Sequence, residues 1–232
     1  MKKLFVVTLF AISMGFLESA VVVYLRALYY PNGFSFPLTA MHGTIITTEL
    51  WRELATILML MGIGYLSSVQ QLKRFAWFIY SFAIWDIFYY VFLYLLLAWP
   101  ASLATWDVLF LLPVMWTGPV FAPFLICISM IALALFILVN MVTLNRFSIG
   151  LMLTGTLICL MAFMQEFTLY HWQLHGSLFD MNLMITSGFS FIPAQFPLML
   201  FLLGYLILNT GIFLAVHNNS KSKFNKHVPL FI

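Results

Sequence analysis

The sequence predicts an all-α fold: a polytopic membrane bundle of about six transmembrane helices with both termini on the cytoplasmic side. Three observations predict it. The first is composition, since 64% of the 232 residues are hydrophobic and 7% are charged, whereas a soluble domain carries roughly 25% charged residues. The second is that mostly apolar runs of the ~20 residues a span requires recur along the chain. The third is charge placement. Lys2, Lys3, Lys73, Arg74, Arg146, Lys221, Lys223 and Lys226 fall at the ends and turns of one side, which the positive-inside rule assigns to the cytoplasm.

The expected spans cover about residues 4–29, 45–68, 74–98, 119–143, 147–174 and 196–217. The N-terminus opens like a secretory signal, with two lysines before an apolar stretch. Its apolar run nevertheless continues past Ala20 through "VVVYLRALYY", and Glu18 stands where a cleavage site needs a small residue. It reads as an uncleaved first span. The outer loops, about 30–44, 99–118 and 175–195, contain no Lys or Arg and are long and rich in Pro, Gly and aromatics. Apolar loops of this kind are expected to fold back as re-entrant or interfacial segments covered by protein. Residues 1–217 form one transmembrane domain in this reading, and 218–232 a basic cytoplasmic tail facing anionic headgroups. Cys127 and Cys159 fall mid-span and read as small packing residues.

Charged groups inside a bilayer cost about 2.5–3.5 kcal/mol each on insertion scales, so those that persist either pair or line a site. Glu18 lies ~21 Å into the first span, Glu49 ~6 Å and Glu53 ~12 Å into the second from its outer end, with Asp86 near the middle of the third. Glu166 sits in the outer part of the fifth. Glu49 and Glu53 are four residues apart and share a helix face with Arg52 close by. Glu18 with Arg26, Asp86 with Tyr89 and Tyr90, and Glu166 with Tyr170 form further stripes. Inward-facing stripes would meet in a polar pocket open to the outside. Glu18, Glu49, Glu53, Asp86 and Glu166 are then candidate acid/base groups, because low dielectric favours the protonated carboxyl. Arg26 and Arg52, planar and bidentate, with Tyr89 and Tyr90, are candidate ligand-holding groups. The competing reading is that the arginines only neutralise the acids and fix helix register. Asp107, in "WDVLF", reads as the cap of a short helix.

"HWQLH" places His171 and His175 at helical i, i+4 spacing, which suits a shared zinc or other divalent ion. Hydrogen bonding and proton transfer are the alternatives. Multi-span hydrolases of the alkaline ceramidase and progestin-receptor type resemble the chain in this motif and in their form. Their serine four residues before a histidine is not here, since Leu38 stands four before His42. "FLESAVVVYLRALYYPNGFSFPL", "ELWRELAT", "WDIFYY" and "WDVLFLLPVMWTGPV" resemble a set in uncharacterised bacterial multi-pass membrane proteins, over roughly residues 15–125. That resemblance implies a bacterial inner membrane and brings no activity with it.

No Gly-rich phosphate loop, GxSxG elbow or mid-span lysine is present, and the basic excess lies on turns and tail rather than on a nucleic-acid-binding face. The expected partners are membrane lipids and a lipophilic or anionic small molecule. Three function classes remain: a membrane enzyme acting on a lipid or lipophilic molecule, a proton- or ion-coupled transporter, and a non-catalytic subunit of a membrane complex.

Overall fold

A computed structural model describes residues 2–140, 142–176 and 180–227, with the backbone alone at 181–182 and 220–227. The long helices are α1 (Lys2–Tyr29), α2 (Gly43–Ser67), α3 (Gln71–Leu97), α4 (Phe121–Val139), α5 (Arg146–His175) and α7 (Leu198–His227). The short α6 (Met181–Gly188) lies between α5 and α7. All of these long helices except α2 are apolar enough to cross a membrane, with α7 so from Leu198 to Asn219. The side chains of the basic tail beyond residue 219, including Lys221, Lys223 and Lys226, lie outside the described residues, as do residues 228–232.

The interior is packed with apolar side chains, but the helix surfaces are apolar as well, unlike those of a soluble protein. Leu66, Met199, Leu28 and Phe5 are 81%, 81%, 70% and 69% exposed, while Arg26, Glu49, Glu53 and Asp107 are buried. Apolar side chains outward and ionisable ones inward is the arrangement a hydrocarbon solvent selects. The chain is an integral membrane protein of helical class.

α3 is the central post and packs against α1, α2 and α4, while α1 and α2 touch one another little. α5 packs along the length of α7. Backbones approach closely where glycine permits it. A Cβ on Gly15 would meet the Trp85 carbonyl oxygen at 2.9 Å, and one on Gly204 would meet the Cys159 nitrogen at 2.8 Å. Such small-residue seams give helices in lipid their packing energy. At the end of the bundle holding the N-terminus, Lys3 Nζ donates to Ser67 O (2.8 Å) and Arg74 Nε to Ser68 O (2.7 Å). The turn between α4 and α5 is tied to α7 there too, Thr143 N donating to Asn219 Oδ1 at 3.0 Å.

The 99–118 loop folds into a two-stranded antiparallel hairpin, β1 (Trp106–Phe110) and β2 (Trp116–Pro119). β2 lies against α5, where the Trp116 and Phe163 rings stack at 6.3 Å and 4°. Asp107 therefore caps no helix. It is the second residue of β1, in a segment whose Trp, Val, Leu and Phe suit a pleated strand. α5 runs through both histidines of "HWQLH" because its ends are well capped. Asn145 accepts from Ser148 N at 2.6 Å, and Gly176 takes the left-handed conformation (φ 62°) that closes the helix.

Candidate functional site

The opposite end of the bundle from Lys3 and Arg74 holds a chamber of about 150 Å³ between α1, α2, α3 and β1. Its wall brings together Glu18 and Arg26 from α1, Glu49, Arg52 and Glu53 from α2, Asp86 and Tyr89 from α3, and Asp107 from β1. Helical periodicity places these groups. Glu18, Val22 and Arg26 repeat at four-residue intervals on one stripe, and Glu49 and Glu53 on another.

Arg52 is the hub. Its Nη1 donates to Glu18 Oε1 on the neighbouring helix, and its Nε and Nη2 donate to Glu49 Oε2 at 2.9 and 2.7 Å. Thr56 Oγ1 donates to the other Glu18 oxygen at 3.3 Å. The guanidinium is thus committed to two carboxylates on two helices. Among the described residues these are the ion pairs of the bundle.

The other chamber acids have different partners. The Leu111 N–H, just past β1, donates to the Glu53 carboxylate, 3.0 and 3.2 Å from its two oxygens. Asp86 Oδ2 accepts from the Cys127 thiol of α4 at 3.2 Å. Asp107 Oδ2 accepts from Tyr90 OH at 3.0 Å. Tyr90 turns to Asp107 and away from the chamber, whereas Tyr89 lines it. Asp107 lies outside the helices, and burial pushes its carboxyl from the ordinary 3.8 up to about 7. The Arg26 charge and the hydrogen bonds from Tyr90 and the Val108 N–H act the other way and do not cancel that burial.

Two apolar spaces adjoin the chamber. One, of about 90 Å³, shares Leu38, Met41, Glu49 and Leu111 with it and extends to Phe167 and Met184. The other, of about 220 Å³, shares Trp85, Asp86, Leu109 and Phe110 and reaches Cys159. The chamber is a polar compartment with apolar annexes.

Glu166 is not part of it. Its Oε1 accepts from the Ala194 and Gln195 amides at 2.6 and 2.9 Å, which ties the segment before α7 to α5. The stripe partner of Glu166, Tyr170, donates to Ser190 at 2.9 Å, in the same stretch before α7. His171 and His175 also stand apart. His171 Nδ1 and His175 Nε2 lie 2.9 and 3.0 Å from Ser187 Oγ of α6. One hydroxyl carries one proton, so it donates to one ring and accepts from the other. Among the described residues, no three His, Cys, Asp or Glu gather at metal-ligating separation. His42 stands just before α2 and its side chain makes no capping bond there.

The sequence reading did not single out Asp107 or Leu111 for this chamber. A loop acid in an aromatic setting gives no periodic signal, and a backbone amide gives none at all. Neither a family model, nor a curated protein, nor a solved structure matches this chain, in keeping with the resemblance to membrane proteins that carry no assigned activity.

Two consequences follow from these contacts. Arg52→Ala leaves the half-buried Glu18 and the buried Glu49 without their cation, and breaking a buried pair of this kind costs about 3–5 kcal/mol. Thermal unfolding in detergent at neutral pH should show a large drop for this variant, and a wild-type melting temperature would refute the hub. Asp107 binds its proton more tightly folded than unfolded. The stability it contributes is full below about 3.8 and is lost as pH rises through about 7. Melting curves of wild type and Asp107→Asn should therefore diverge across that window, with the variant lacking this part of the decline. Parallel curves would remove the assignment.

Proposed function

We propose that the protein is a six-span enzyme of the bacterial inner membrane, with both ends cytoplasmic, acting on a lipid or lipophilic small molecule in the chamber. α2 joins the apolar helices as the sixth span in this reading. Its 25 residues extend about 37 Å at ~1.5 Å per residue, enough for a bilayer core. Its charges face the chamber rather than lipid. The ends and turns bearing Lys3 and Arg74 then lie inside, and the hairpin outside.

The observation that carries the catalytic part is the joining of an ionisable compartment to apolar annexes through shared walls. A lipophilic molecule can place its polar, reacting portion among carboxyls while its hydrocarbon stays out of water. Glu53 and Asp86 are the acid/base pair in this proposal. Both line the chamber, and among the described residues neither has a cation within ion-pair distance. Each can exchange a proton at a cost set by its surroundings. Glu18, Glu49 and Arg52 hold the wall. Tyr89, on the face of α3 that carries Asp86, is a ligand contact. A proton-coupled transporter would use the same two carboxyls, and a structural subunit would use neither.

Topology is read by cysteine labelling. Cys127 and Cys159 are 2% and 1% exposed, so background is low. A cysteine at Ser102 should react with a membrane-impermeant maleimide on intact cells and one at Gln70 only after lysis; the reverse pattern overturns the orientation. Function is read by incubating the purified protein with a bacterial membrane lipid extract and profiling products by mass spectrometry. Wild type should generate new species that Asp86→Asn and Glu53→Gln lose by roughly 100-fold or more, with melting temperatures close to wild type. No conversion, together with an Asp86-dependent proton current in vesicles, would replace the enzyme with a transporter.

A further inference from the structure

Arg26 sits on the last turn of α1 and is 8% exposed. Its guanidinium carbon lies 3.8 Å from the centre of the Trp99 ring and 4.7 Å from that of Phe34. These rings meet edge to face, 5.9 Å apart at 78°. Their placement follows from the chain path. α3 ends at Ala98 in the left-handed conformation (φ 51°), with its N–H bonded to Tyr94 O, and Trp99 follows at once. Phe34 comes from the loop after α1.

Arg26 differs from Arg52 in what meets its donors. Among the described residues, Arg52 holds two carboxylates, whereas Arg26 has no acid within 4.0 Å and no hydrogen-bond acceptor. A guanidinium this little exposed, whose five N–H donors meet no protein acceptor among the described residues, is costly unless a further group meets them. Cation–π contact offsets part of that cost. The two rings stand nearly perpendicular, so the planar group can lie flat on no more than one of them, and the N–H donors not turned to a ring stay open to a bidentate partner. Arg26 lines the chamber wall together with Tyr30 and Phe34. The carboxyl that acts on it electrostatically, Asp107, is already bonded to Tyr90 and keeps its proton up to about pH 7.

We propose that Arg26 receives an oxyanion, a phosphate or carboxylate, carried by an amphiphile whose hydrocarbon occupies an apolar space beside the chamber. This names the substrate class of the site and rests on the lipophilic-ligand reading above. The oxyanion meets the donors that the rings leave open, and the rings hold the guanidinium in place before the ligand arrives. Arg52 makes no such contact, because two carboxylates already neutralise it.

The test is binding to the full-length protein in an uncharged detergent, read by thermal shift. Dodecyl phosphate should raise the melting temperature of wild type in a saturable way. Arg26→Gln should weaken that binding by roughly tenfold or more, and Arg26→Lys, which keeps the charge but not the fork, should bind with intermediate strength. Arg74→Gln, at the other end of the bundle, controls for loss of a positive charge. Should Arg26→Gln not be recovered folded, the Arg26→Lys comparison decides. No shift with dodecyl phosphate, or an equal shift in the Arg26 variants, overturns the proposal. So does an equal or larger shift with dodecyltrimethylammonium, which would make the chamber a cation site. Inorganic phosphate acting at the same concentration as dodecyl phosphate would retain the oxyanion at Arg26 and overturn the amphiphile. Binding needs no turnover. Conversion lost with binding intact therefore sinks only the catalytic reading, and binding lost with conversion intact sinks only this one.

Discussion

The bridge from Arg52 to Glu18 and Glu49 is the contact on which the chamber end of the bundle depends. α1 and α2 both pack on α3 and touch each other little. A gap between two helices in lipid has no hydrophobic pressure to close it, because hydrocarbon fills space as well as leucine does. One guanidinium shared between carboxylates on the two helices spans the gap while leaving volume beside it. The same contact thus joins the helices and keeps the chamber from collapsing. In low dielectric neither partner can be withdrawn cheaply, and this makes a polar wall stable where an apolar one would pack shut.

The hairpin completes the enclosure. Its strands are partly buried against the bundle, where an unpaired backbone would lose its partners, and pairing β1 with β2 satisfies much of it internally. What remains is taken up by the bundle. Glu53 accepts the Leu111 amide, Asp107 accepts the Tyr90 hydroxyl, and Trp116 stacks on Phe163. The two hydrogen bonds each take up part of a carboxylate's accepting capacity. The chamber acids therefore fall into kinds: those neutralised by Arg52, those holding the hairpin or a neighbouring helix through a neutral donor, and within the second kind those still facing open volume.

That division separates two ways a buried charge can persist. Glu18 and Glu49 are explained by their cation. Arg26 is explained only in part by Phe34 and Trp99, because ring faces meet a cation's charge and do not accept its directed N–H bonds. The groups with incomplete explanations, Arg26 at one wall and Asp86 and Glu53 at another, are the ones the proposed chemistry uses.

Much of this was legible without coordinates. The membrane class followed from composition, and helices near each expected span followed from the length of the apolar runs. The stripes Glu18–Val22–Arg26 and Glu49–Glu53 could be drawn from a period of 3.6, and all of these residues line the chamber. Periodicity fixes face and depth along one helix, and both are local properties of the chain. It does not fix which helix lies opposite. Tertiary structure alone decided that Arg52 rather than Arg26 would take Glu18. It also decided that Glu166 would bind backbone amides before α7, that His171 and His175 would share Ser187, and that Asp107 would enter from a strand. Partners for buried charges are chosen by proximity across sequence separations of tens of residues, and the energy of each choice depends on every other group already placed.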